Sequence, residues 1–317
     1  MSMQRVQLKA GELTIELVPA AGGCVAAFRT AGGIDLFRPL PEGAEDALHS
    51  GMFPMVPFAN CIRDNGFTFE GTIYKVAPNM AGAAPNFHGS GWQLPWVVSE
   101  AGEGHAVLRL QDAVVDDVYR FDASQSFRLD ASGLSVSLTL TNCGPRTLPF
   151  SFGLHPWFPR HGAVDLRFAA TGFWTAEPAG TAGELIGVPG NNDYSGWRTP
   201  PLSRQNNCYA GWAGVAEIAW PVLGVGLRVT ADPAFSHLMF HVPASGEPTF
   251  CIEPQSNAPC AFDGLAAGRV QDGVFILAPG ESISGAVRFA PLRPADFQSS
   301  DSNLSGAAPS ATRQDEL

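Results

Sequence analysis

In the segment Leu134-Ser135-Val136-Ser137-Leu138-Thr139-Leu140-Thr141 every second side chain is apolar. Only an extended strand turns a period of two into one wet face and one buried face. The run stops at Asn142-Cys143-Gly144-Pro145, residues that supply the backbone conformations of a tight turn. Shorter runs at 13–18, 105–110, 225–230, 274–277 and 285–289 predict further strands, separated by turn clusters such as Arg63-Asp64-Asn65-Gly66. With 35 glycines and 26 prolines spread along the chain, no uninterrupted amphipathic helix of average length stands out. The expected fold is all-β, a large antiparallel β-sandwich, because two stacked sheets remove two apolar faces from water at once. No repeat at a fixed period points to a propeller.

At 317 residues, 45% hydrophobic and 15% charged, the chain can bury a large core. Residues 1–296 are expected to form one domain, and 297–317, rich in Ser, Asp, Ala and Pro, a disordered tail. The net charge is −11 with basic residues scattered singly, which argues against nucleic acid and anionic membrane surfaces as partners. No apolar run approaches the roughly 20 residues that cross a bilayer, and residues 1–9 pass directly into alternation. The expected compartment is the cytoplasm. Six cysteines without a C-x-x-C pair read as free, mostly buried thiols. No H-x-x-x-H motif or carboxylate cluster suggests a metal.

Candidate chemistry comes from titratable residues set in apolar or aromatic runs, where burial is costly without a partner or a task. Glu253 lies in Cys251-Ile252-Glu253-Pro254-Gln255-Ser256, His155 in Phe152-Gly153-Leu154-His155-Pro156-Trp157-Phe158, and His88 in Asn86-Phe87-His88-Gly89-Ser90-Gly91-Trp92-Gln93. Pro254 is expected to end the strand at Glu253, whose apolar neighbours would raise its pKa toward that of a general base. His155 suits a general acid, and Gly89 and Gly91 would let a ligand approach His88 closely. Trp92, Trp96 and Trp157 could present flat faces to a sugar ring. Taken singly, each feature has an ordinary alternative: a strand-end glutamate, a core histidine bonded to a carbonyl, a packed indole. His49, His105, His161, His237 and His241 lack such settings.

Four segments in order, Pro57 to Gly71, Asn86 to Trp96, Gly153-Leu154-His155-Pro156-Trp157-Phe158 and Glu253-Pro254-Gln255, resemble the successive signatures of the aldose 1-epimerases, or galactose mutarotases, over roughly residues 5 to 295. The resemblance implies a galactose-mutarotase-like supersandwich, with His155 as general acid, Glu253 as general base and His88 as a second histidine at the ring oxygen. Asn60, Arg63, Asn206, Gln255 and Trp157 join His88 as candidate substrate-binding residues. The ligand would be a small aldose, with no cofactor and no metal. Two departures stand out. Cys61 occupies the place of the family's substrate-binding arginine, for which Arg63 could substitute on the same face of an extended segment, and Asn206 stands where an aspartate is usual. Three other readings stay open: a hexose-6-phosphate 1-epimerase, which would want clustered Arg or Lys; a glycoside hydrolase, which would want two carboxylates; and a non-catalytic sugar-binding protein. The preferred aldose and the oligomeric state are not legible.

Overall fold

The computed structural model describes residues 4–82, 85–177, 181–244, 246–268 and 273–297. Two large antiparallel sheets dominate it. The ten-stranded sheet runs, in spatial order, Val6–Ala10, Leu13–Val18, Cys24–Thr30, Met52–Met55, Gly153–Pro159, Thr249–Gln255, His237–Val242, Gln205–Ala210, Gly172–Ala176 and Ala182–Ile186. The eight-stranded sheet runs Asp165–Phe168, Val215–Trp220, Val225–Ala231, Ser282–Leu292, Gly133–Asn142, Tyr119–Asp130, His105–Val115 and Val97–Gly102. Helical structure among the described residues is confined to short 3-10 turns, and no helix there is long and apolar enough to cross a membrane. The alternation read at 134–141 becomes the Gly133–Asn142 strand. Leu134, Val136, Leu138 and Leu140 are fully buried in the core, and Ser135, Ser137 and Thr139 face the other way. Most of the tail anticipated at 297–317 lies outside the described residues. Its first residue, Phe297, packs edge-on against Trp197, ring centroids 6.5 Å apart.

The main core fills the space between the sheets. Phe37 bridges it, edge-to-face with Phe158 of the ten-stranded sheet (5.5 Å) and with Phe289 of the eight-stranded sheet (4.9 Å). Such ring pairs add about 0.5–1.5 kcal/mol each beyond area burial.

The middle of the ten-stranded sheet is buried on both faces. Leu154, Phe158, Phe250, Ile252, Leu238 and Phe240 enter the main core. The residues between them project to the opposite face. There Trp157 and Cys251 join a second apolar cluster with Val18, Phe53, Met55 and Trp92. The ladder between the Gly153–Pro159 and Thr249–Gln255 strands is registered at Gly153↔Gln255 and again at Trp157↔Cys251. The gap contains Pro156 and Pro254, which have no N–H to contribute. Pro254 nevertheless stays inside its strand, opposite Leu238, so Glu253 is not at a strand end. The open ladder tolerates the proline that the sequence alone reads as a terminator.

Candidate active site

The projecting residues follow from register. Phe53 lies opposite His155, Met239 opposite Glu253, His241 opposite Cys251, and Asn206 opposite His241. Loops carrying Leu48, Asn60, Met80, Phe87 and His88 cover this row and enclose a cavity of about 280 Å³, to which Arg204 also contributes. His155, Glu253, His88, Asn60 and Asn206 thus share one cavity although they lie far apart in the chain.

His155 Nε2 is 3.3 Å from Glu253 Oε1, and both residues are buried, 7% and 2% exposed. His155 is sandwiched between Phe53 (4.5 Å, 26°) and Trp157 (5.4 Å, 22°), which fixes the imidazole plane. Burial pushes the Glu253 carboxyl well above the usual carboxylate range. It pushes His155 well below the imidazole range, helped by His88, His241 and Arg38. The pair is net neutral as acid plus imidazole or as carboxylate plus imidazolium, so a proton can be relocated without leaving a charge uncompensated in the apolar floor.

The His88 and Asn60 backbones lock each other. His88 N–H donates to Asn60 O (2.8 Å) and Asn60 N–H donates to His88 Nδ1 (3.1 Å). Both residues have positive φ, 61° and 60°. With Nδ1 an acceptor, neutral His88 carries its proton on Nε2. Burial, with a contribution from His241, lowers its pKa to about 3. The glycines after it serve a different end from the one the sequence suggests. A Cβ at Gly89 (φ +64°) would meet Pro57 Cδ at 2.3 Å, and one at Gly91 would meet Val56 Cγ2 at 2.3 Å. They let the protein's own Val56-Pro57 segment press against the His88 turn. Asn206 Oδ1 lies 2.9 Å from His241 Nδ1, a contact that fixes Nδ1–H as donor and leaves His241 Nε2 an acceptor. His241 is lowered to about 4 by burial and then by Arg204.

Three candidate residues do not line the cavity. Arg63 follows the Cys61–Ile62 strand and opens a 3-10 turn, Arg63–Asn65; Ile62 between them is extended (φ −99°, ψ 115°), and both Cys61 and Arg63 turn toward the 260–263 segment, away from the cavity. The Arg63 guanidinium bonds Asp263 (2.7 Å), Glu177 (2.8 Å) and Ala182 O (2.8 Å), and the Glu177 and Asp263 bonds raise its pKa further. Cys61 meets Cys260, Sγ to Sγ 3.6 Å. Gln255 is fully buried and donates to Asn257 O (2.6 Å). Trp157 backs His155, with Arg38 4.2 Å over its ring. Trp92 and Trp96 spend their indole N–H groups on Phe87 O and Gly91 O and pack in the two cores.

Sequence reasoning missed His241, Arg204, Met239 and Phe53. The His241 signal was present: in His237-Leu238-Met239-Phe240-His241-Val242 the strand period puts Met239 and His241 on one face. One cluster of metal-ligand type also escaped linear spacing. Ligand atoms of His155, Cys251 and Glu253 all lie within 4.8 Å of one another.

The aldose 1-epimerase family model matches residues 4–290. The chain belongs to the aldose 1-epimerase family. It is 35% identical over 245 residues, 74% of this chain and 82% of the relative, to "Uncharacterized protein YphB" of Escherichia coli (strain K12). The crystal structure of an Escherichia coli K12 protein named as a candidate aldose 1-epimerase superposes with a TM-score of 0.85 at 30% identity, covering 92% of this chain and all of that one. A galactose mutarotase-like protein from Clostridium acetobutylicum shares the fold, with a TM-score of 0.76 at 17% identity over 92% and 96% of the two chains. Membership of the aldose 1-epimerases implies an isomerase acting on a small sugar, on a galactose-mutarotase-like β-sandwich.

Proposed function

We propose that the chain interconverts the α and β anomers of a free aldose such as galactose or glucose by opening and reclosing the ring. The observation that carries this reading is the buried contact between His155 Nε2 and Glu253 Oε1 on the floor of the cavity. Glu253 as carboxylate takes the proton from the C1 hydroxyl while His155 as imidazolium gives one to the ring oxygen. The C1–ring oxygen bond breaks, leaving an aldehyde, a protonated Glu253 and a neutral imidazole. Rotation about C1–C2 offers the other carbonyl face, and the reverse transfers close the ring with the opposite anomeric configuration. Nothing is oxidised or transferred to another molecule, and no cofactor enters the balance. His88 Nε2–H is a donor for the ring oxygen or a neighbouring hydroxyl, and Asn60, Asn206 and His241 supply further hydrogen-bonding groups.

Hydrolysis is the weaker reading: Glu253 is the one carboxylate among the described lining residues, and glycoside hydrolysis uses two. The proposed compartment is the cytoplasm, where thiols as close as Cys61 and Cys260 stay reduced. Polarimetry of freshly dissolved α-anomers of galactose, glucose, arabinose, xylose and fucose tests the proposal. Acceleration of at least one above the spontaneous rate is expected, and saturable sugar binding without acceleration would leave a binding protein instead.

A further inference from the structure

A second cavity, of about 430 Å³, adjoins the reaction pocket, and both are lined by Arg204 and Asn206. Its walls carry Arg198, Tyr194, Asn192 and Ser203, and no carboxylate belongs to its described lining. That is unusual in a chain of net charge −11. The adjoining acids are engaged: Asp193 accepts from Ser195 N–H (2.8 Å), its pKa lowered by Ser195 and then by the nearby Arg198 charge, and Asp165 accepts from the Thr199 hydroxyl (2.7 Å). Arg198 Nη1 donates to Gly190 O (2.8 Å) and Asp193 O (3.4 Å), which leaves Nε and Nη2 without a hydrogen-bond partner among the described residues. Arg204 makes neither hydrogen bond nor ion pair with any described residue. The frame is held firmly, since Arg160 donates to Pro200 O (3.0 Å) and Pro201 O (2.6 Å), and the Tyr209 hydroxyl donates to Asn192 O (2.9 Å).

On the anomerisation reading above, a pyranose with O1 at Glu253 fills the inner pocket, and a substituent leaving it over Asn206 enters the neighbouring cavity. We propose that this second cavity holds an anionic group carried by the aldose away from C1, a carboxylate or a phosphate, with Arg204 and Arg198 as its ligands. Within the reaction pocket the His155–Glu253 pair is net neutral in either proton arrangement, and burial lowers the pKa of His88 and His241, so the pocket's net charge comes from Arg204. Guanidinium groups bind oxyanions through paired, charge-assisted N–H donors.

Exchange NMR at anomeric equilibrium reads the rates without a starting anomer. The panel is galactose, galacturonate, galactose 6-phosphate and lactose, the last matching the added size without the charge. At least one anionic sugar is expected to exceed galactose in kcat/KM by about tenfold. Arg204→Gln is expected to cut the anionic-to-neutral ratio by about tenfold, and about 0.5 M salt should lower the same ratio in the wild type. A preference for galacturonate assigns the cavity to a carboxylate, and one for galactose 6-phosphate to a phosphate. Lactose leading the panel, or an anionic-to-neutral ratio indifferent to Arg204→Gln, overturns the proposal. If no sugar is anomerised, the functional reading fails on its own, and calorimetric titration with galacturonate and with galactose 6-phosphate decides this one. Either anion binding more tightly than galactose, with the advantage lost in Arg204→Gln, upholds it, and equal affinities refute it.

Discussion

The two sheets turn very different outer faces away from their common core. On the eight-stranded sheet Glu217 accepts from Arg228 (2.9 and 2.7 Å) and from Arg167 (2.8 Å), and Arg288 donates to Ser135 (2.9 Å). Glu217 is buried, 6% exposed, but each of its carboxylate oxygens is met by an arginine that reaches solvent, so its charge is compensated where it sits. On the ten-stranded sheet the corresponding positions, His155, Glu253, Met239 and His241, lie beneath loops and a second apolar cluster. The strand geometry is the same. What differs is the cover, which removes water and shifts Glu253 up and the histidines down, the condition that the proposed acid/base roles require.

The sharpest test of that contrast is kinetic. His155→Asn or Glu253→Gln is expected to lower kcat by about 10² to 10⁴ with the fold retained by circular dichroism, whereas Glu217→Gln should leave kcat within about twofold. A loss at Glu217 equal to that at Glu253 would erase the distinction between the faces. Next in size is the shared core. Phe158→Ala should cost about 3–5 kcal/mol in urea unfolding, while Thr139→Ala on the outer face of the eight-stranded sheet should stay within about 0.5 kcal/mol.

The pH dependence of stability sharpens the comparison further, because the covered face holds groups whose folded and unfolded pKa values differ. His88 and His241 are lowered from 6.5 to about 3 and about 4. The unfolded chain therefore binds more protons between those values, and stability present above pH 6.5 is lost as pH falls toward 3. The slope is at most about 1.4 kcal/mol per pH unit for each imidazole. His88→Gln should flatten this acid limb in chemical denaturation at stepped pH. Glu253 has the opposite sign: its folded pKa is raised, so its stabilising contribution is full below 4.5 and falls as pH rises toward the folded value. Glu253→Gln should gain stability relative to wild type at pH 8 compared with pH 4. The smallest effect is expected at Arg63, a half-exposed clasp between Asp263 and Glu177. Arg63→Gln should cost about 1 kcal/mol and leave KM within about twofold; a large rise in KM would return Arg63 to the binding machinery.

The legible part of the molecule was the part governed by local pattern. Alternation at 134–141 yielded its strand because one face of that sheet meets water, and the joint order of the Asn60, His88, His155 and Glu253 segments gave the family. Continuous burial hid the central strands: Gly153–Pro159 and Thr249–Gln255 show almost no exposed position, so period alone could not say which side chains face the core and which the cavity. Arg63 was misplaced because the side of the strand on which it and Cys61 lie faces Cys260 and Asp263 and not the cavity. His241 also sits in an apolar run, Leu238-Met239-Phe240-His241-Val242, but what gives it a setting is Asn206, which arrives from across a ladder and is invisible in linear order.

Order along the chain determined that this is a β-rich protein of the aldose 1-epimerase family and which few polar residues sit in apolar company. Tertiary structure alone decided which of them meet, that Arg198 and Arg204 come to one cavity although basic residues look scattered in the sequence, and that Cys61 faces Cys260. The reason is physical: hydrophobic periodicity is a property of neighbours, whereas desolvation and electrostatic coupling depend on what packs from elsewhere in the chain.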